Sequence, residues 1–130
     1  MVQSVTRHHR ERAQVAVVLN DETLTLIDTI IVTNYDAITI YVSNSGNALD
    51  QFEIAGNAIR DGTFEILFNA AVDFTSPAGI LIGASGDLTT LADGASGWVL
   101  LYPKGFFAIR IQAARATGAD TTLTQNSGGS

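Results

Sequence analysis

The residues with the clearest capacity for chemistry lie together near the start of the chain, in Ser4-Val5-Thr6-Arg7-His8-His9-Arg10-Glu11-Arg12-Ala13-Gln14. This stretch holds both histidines and three of the seven basic residues. Adjacent imidazoles suggest metal ligation, and Arg7, Arg10 and Arg12 suggest anion binding. In an extended segment, however, His8 and His9 point to opposite sides. Zinc needs three or four ligands at fixed geometry, and the chain has no cysteine and no further histidine. A catalytic triad needs its histidine held firmly beside the nucleophile, and an arm ahead of the first strand is a poor place to hold one. The basic side chains are instead suited to bidentate contact with carboxylates. Arg7, His8, His9, Arg10 and Arg12 are therefore expected to form a partner-binding arm, and neither a metal nor a cofactor is expected.

The rest of the chain sets limits on the partner. Beyond residue 12, four bases (Arg60, Lys104, Arg110 and Arg115) face twelve acids. Such a body repels nucleic-acid phosphate. Three arginines make a small footprint, and the arm has no aromatic residue for base stacking. Nucleic acid is thus disfavoured, and carboxylates on an adjacent acidic subunit are the expected target. No apolar run approaches the length of a membrane span. The run Ala13–Leu19 is short, contains Gln14 and lacks a small-residue cleavage site, so synthesis in the cytosol without export by a signal peptide is expected.

Several acids fall in turn signals: Asp21, Asp36, Asp61, Asp93 and Asp120. An Asp in a turn bonds its own backbone, so structural duty is expected of these residues. The pattern of an EF-hand loop is missing, and neither Gly83–Gly86 nor Gly94–Gly97 (both GASG) continues into the Lys-Ser/Thr of a phosphate loop. No catalytic residue is nominated, and the chain is read as a non-enzyme.

The elements that must position these residues have a period of two. Val15, Val17 and Leu19 alternate, as do Ile38, Ile40 and Val42, then Phe64, Ile66 and Phe68, then Phe107, Ile109, Ile111 and Ala113. Alternation of this kind buries one face of a strand and wets the other. Turn signals recur between the runs, among them Ser43–Asn47, Asp61-Gly62, Ser76-Pro77, Ser85–Asp87, Asp93-Gly94 and Gly118–Asp120. The pattern predicts an all-β antiparallel sandwich of eight or nine strands, at about 13–20, 22–33, 36–43, 50–55, 63–69, 79–83, 97–102, 105–114 and 120–125. Asp28 interrupts the apolar face of the second strand, and a bulge at Ile27-Asp28 would restore register. Phe52, Phe64, Phe68, Trp98 and Phe107 are the expected large core residues. A hairpin from Phe106–Ala114 to Thr121–Gln125 is expected to close one sheet. The domain reading is an arm at 1–14, a sandwich at 15–125 and a flexible Gly/Ser-rich tail at 126–130.

Two segments resemble a recurring Ig-like pattern of bacterial adhesion-related and viral surface domains. The first is Ile40–Ile54, with Val42, Asn44, Gly46 and Asn47 in the turn. The second is Thr89–Leu101, with Leu91, Gly94, Gly97 and Val99. Together with Gly105–Ala113 the likeness covers residues 36–125. In its size and N-terminal arm the chain resembles Ig-like virion structural proteins of tailed bacteriophages, either capsid decoration (cement) proteins or head–tail and tail accessories. The resemblance implies a virion protein made in the host cytoplasm. Its partners would be copies of itself and the major capsid or tail proteins, as a homo-oligomer on a particle, with no membrane. The alternative is a carbohydrate- or receptor-binding adhesion module, for which Tyr41, Trp98, Tyr102 and Phe106 offer an aromatic platform.

Overall fold

A computed structural model describes residues 9–69 and 88–130 together with the backbone of residues 81–83. The fold is an antiparallel β-sandwich. Its described strands are β1 (Arg10–Glu11), β2 (Val15–Leu19), β3 (Thr25–Ile31), β4 (Ile38–Ser45), β5 (Leu49–Asn57), β6 (Glu65–Phe68), β7 (Leu81–Gly83), β8 (Ser96–Leu101), β9 (Ala108–Arg115) and β10 (Thr121–Gly129). One sheet runs β1-β10-β4-β8-β7, with β2 pairing the same edge of β10 as β1, and the other runs β3-β9-β5-β6. A short 3-10 turn, Leu88–Thr90, packs against β5.

Sequence alternation explains the two layers. In β4, Ile38, Ile40 and Val42 are buried while Thr39 and Tyr41 are exposed. Opposite them in β8, Val99 and Leu101 are buried. The facing sheet contributes Ile27, Ile30, Phe52, Ile54, Ile109 and Ile111 to the same core. Each such side chain contributes about 2 kcal/mol on removal from water. Phe52 meets Phe68 edge-on, with ring centroids 6.4 Å apart, an arrangement that the ring quadrupoles favour.

Asp28 is accommodated by the expected bulge. Leu26 pairs with Gln112 and Asp28 with Ile111, leaving Ile27 as the extra residue. Ile27 remains in the core while Asp28 reaches the gap between the sheets at their edge.

One end of the sandwich is fastened by asparagine side chains. Asn44 is buried, and its side-chain amide donates to the carbonyls of Asn47, Leu91 and Ala92 at 2.6, 3.0 and 3.3 Å. Its side-chain oxygen accepts from the Thr121 hydroxyl. Asn47 donates to the carbonyls of Ala116 and Ala119 at 3.0 and 2.9 Å. Asp93 accepts from the Gly46 amide at 2.7 Å. Gly46 has φ of 132°, in a region that suits a residue without Cβ. The residues that carried the Ig-like resemblance thus form a polar hub linking three turns.

Several expectations are corrected. The tail does not hang free: Asn126–Gly129 belong to β10 and pair with Ile38–Tyr41, and the Ser130 amide donates to the Ala37 carbonyl at 3.0 Å. A Cβ on Gly129 would overlap the backbone of Ala37 and Ile38, and one on Gly128 would press on His9. These glycines serve close approach of neighbouring chain, a use that composition does not separate from flexibility. Trp98 is 40% exposed because Gly97, Val99 and Leu101 take the inward positions of β8. Phe64 and Phe107 are only half-buried and lie beneath Arg110 and Arg60, with guanidinium carbons 4.5 and 5.0 Å from the ring centroids. The chain from β9 to β10 crosses from one sheet to the other instead of forming a hairpin within one. The turn signals at Ser76-Pro77 and Ser85–Asp87 lie outside the described residues.

Two stability measurements test this account. Asn44→Ala removes the hydrogen bonds of a buried side-chain amide to Asn47, Leu91, Ala92 and Thr121, and is expected to cost about 3 kcal/mol in urea unfolding. Asn20→Ala, on the exposed side of a turn, should stay within about 0.5 kcal/mol of the parent. Removing residues 126–130 is expected to lower the unfolding midpoint sharply, whereas a free tail could be removed at no cost.

Candidate functional site

The arm residues are positioned by the outer edge of β10. Arg10 pairs with Gly129 and Glu11 with Gly128. The Arg12 amide donates to the Ser127 carbonyl at 3.0 Å. Farther on, Val15–Leu19 pair with Thr121–Gln125. The described part of the arm is therefore folded onto its own chain.

Arg12 turns inward. Its guanidinium donates to the Asp28 carboxylate at 2.5 Å and to the Ser127 hydroxyl at 3.2 Å. The Gln125 amide donates to the same Asp28 oxygen at 3.3 Å. The two charged side chains are 27% and 13% exposed, so water screens them only in part. This clasp joins β10 of one sheet to the bulge in β3 of the other. Arg12, expected as an ionic anchor to a neighbouring subunit, is here engaged by Asp28 of its own chain. Arg7 and His8 lie outside the described residues. His9 and Arg10 are exposed.

Those two residues stand at the margin of a groove on the outer face of the first sheet. A cavity of about 710 Å³ is lined by His9, Arg10, Asp36, Thr39, Leu100 and Tyr102, among others. A second, of about 290 Å³, shares His9 and Thr39 and reaches Tyr41 and Asn126. Register explains the convergence. Asn126 lies opposite Tyr41, and Tyr41 opposite Trp98. Gly128 lies opposite Thr39, and Thr39 opposite Leu100. Directly opposed residues project to the same face.

Of the aromatic residues read as a platform, Tyr41, Trp98 and Tyr102 are exposed at 41%, 40% and 43%. Phe106 is not with them. It is half-buried against Gly56 and Leu67 in the other sheet. Asp36, Thr39 and Asn126 were missed as groove residues. The outward positions of Thr39 and Tyr41 were legible from period two, but their meeting with Asn126 depends on a pairing across more than eighty residues of chain.

The turn acids have the structural duties expected of them at two positions. Asp21 accepts from the Thr23 amide at 2.9 Å, and Asp93 holds Gly46. Among the described residues, no three His, Cys, Asp or Glu side chains converge to form a metal-binding group.

No family model matches the chain, and no curated protein matches it. Among solved structures the fold is similar to that of the SPBc2 prophage-derived protein YomS, with a TM-score of 0.50 and 10% sequence identity. The correspondence covers 96% of this chain and 99% of that one. At this identity the likeness is one of fold.

The clasp generates a double-mutant cycle. Arg12→Ala and Asp28→Ala should each destabilise the fold, and the pair should show a coupling of about 1 kcal/mol in urea unfolding. Hydrogen exchange at the Arg12 amide should accelerate in Arg12→Ala. Strictly additive effects would show that the side chains act independently.

Proposed function

We propose that the chain is a non-enzymatic structural protein of a tailed-bacteriophage particle, which decorates or stabilises the virion as a capsid cement or as a head–tail or tail accessory. The observation that carries this reading is the near end-to-end correspondence of fold with a prophage-derived protein. It covers 96% of this chain, so the likeness is not confined to a common hairpin or sheet. Fold does not dictate function, and the surface supplies the remaining support.

A particle accessory needs a rigid body with contact surfaces that suit repetition. On the second sheet, Leu26 and Ile31 of β3 and Ile66 of β6 are 49%, 50% and 44% exposed, and Ile59 in the adjoining loop is 68% exposed. The apolar side chains of β3 and β6 lie at the two edges of the sheet, and exposed apolar surface marks contact with other proteins. His9 and Arg10 add a basic margin on the first sheet, facing carboxylates of copies or companions. With many copies on one lattice, each contact can be weak and the assembly still firm.

Particles produced from the genome that encodes the chain provide the test. They should be banded on a density gradient and probed with antibody raised against the purified protein. The chain is expected to band with the particles. Ile31→Glu and Ile66→Glu, both at solvent-facing positions, should fold normally and show at least tenfold lower incorporation. A chain that remains wholly at the top of the gradient would exclude a virion role.

A further inference from the structure

The outer face of the first sheet has a composition that neither the core nor the arm requires. The outward positions of β10 hold Thr122, Thr124, Asn126 and Gly128; those of β4 hold Thr39, Tyr41, Ser43 and Ser45; those of β8 hold Ser96, Trp98 and Leu100. No charged residue occupies any of them, in a chain of formal net charge −6. Charge stands at the margin of this face in both signs, as Arg10 and Asp36 at the larger cavity and as Glu11 and Arg12 at the smaller one.

Aromatic rings interrupt the hydroxyls and amides at a useful spacing. Tyr41 and Trp98 are direct cross-strand neighbours, with Cβ atoms about 5 Å apart. Tyr102 follows Trp98 by four residues and lines the larger cavity. Four extended residues span about 13 Å. The rings therefore stand apart along a groove, and do not fuse into one continuous apolar patch.

A ligand for this surface needs flat C–H faces to lie on separated rings. It also needs an edge rich in groups that both donate and accept hydrogen bonds. It should carry no net charge, because the strand positions of the face offer none and the charges at its margin are balanced in sign. Saccharides meet these conditions. An anionic polymer would meet the acidic body, and a lipid chain would meet hydroxyls where it needs apolar contact. The volume of the larger cavity, about 710 Å³, falls in the range of small-ligand sites.

We propose that the outer face of β10, β4 and β8 is a binding site for neutral saccharide, with pyranose rings stacked on Trp98 and Tyr102. Asp36 accepts from paired sugar hydroxyls, and Arg10 and Asn126 supply donors along the groove. His9, which lines both cavities, marks the passage between the two subsites. The site uses the first sheet, whereas the particle contacts above are placed mainly on the second. Sugar binding can accordingly be present or absent whether or not the chain is found on virions.

The purified full chain should be titrated with malto-, cello- and chitooligosaccharide probes, using polygalacturonate as the anionic comparison. At least one neutral probe is expected to bind saturably. Trp98→Ala and Tyr102→Ala should each weaken it about tenfold, the magnitude of a lost stacking contact. Asp36→Asn should weaken it as well, and the melting temperature of all three should match the parent. If Trp98→Ala fails to fold, Trp98→Phe keeps an aromatic face and should retain most of the affinity. Overturning results are the absence of saturable binding to every neutral probe, binding of polygalacturonate alone, or unchanged affinity in folded Trp98→Ala and Tyr102→Ala.

Discussion

Backbone pairing along both edges of β10 is the constraint on which the rest of the structure depends. On one side β10 meets β4 from Thr122 to Gly129; on the other it meets β2 and then β1. An interior strand must satisfy its amides and carbonyls on both sides, because an unpaired backbone group sealed from water is costly. The residues that hold the molecule together are accordingly drawn from this strand. Thr121 enters the asparagine hub, and Gln125 and Ser127 enter the Arg12–Asp28 clasp. Gly128 and Gly129 admit neighbouring chain at distances that larger residues would forbid.

The two polar assemblies work at different levels. The hub around Asn44 and Asn47 joins three turns and substitutes for backbone pairing where strands end. Its residue types are those of any turn, which is why a pattern resting on them recurs without common descent or shared activity. The clasp joins the sheets. Its cost is the partial desolvation of two charges, offset by three hydrogen bonds to Asp28 and Ser127. A bulge supplies the geometry, since it turns Asp28 toward β10 without surrendering Ile27 from the core.

Much of the architecture was legible in the sequence. Period two located β4 and β9 to within a few residues, and the misfit of Asp28 on an apolar face located the bulge. What could not be read is tied to long-range register. Trp98 looked like a core residue because it is large and apolar, yet neighbouring Gly97 and Val99 already fill the inward positions of β8. Both readings of Trp98, as core and as platform, were available; only its pairing with exposed Tyr41 separates them. The tail was misread because glycine that enables close packing and glycine that loosens a chain have the same composition. The basic arm suggested outward contact, and nothing local revealed that the carboxylate awaiting Arg12 stood sixteen residues downstream.

The antiparallel match of Arg10 with Gly129 brings the two extremities of the described fold side by side. The described fold is thereby almost a closed ring, so a short linker could join Arg10 to Gly129 and new termini be opened at an exposed turn such as Lys104-Gly105. In a permuted chain of this kind, β1 and β10 would become a hairpin, and the slowest long-range pairing in the molecule would become its most local one.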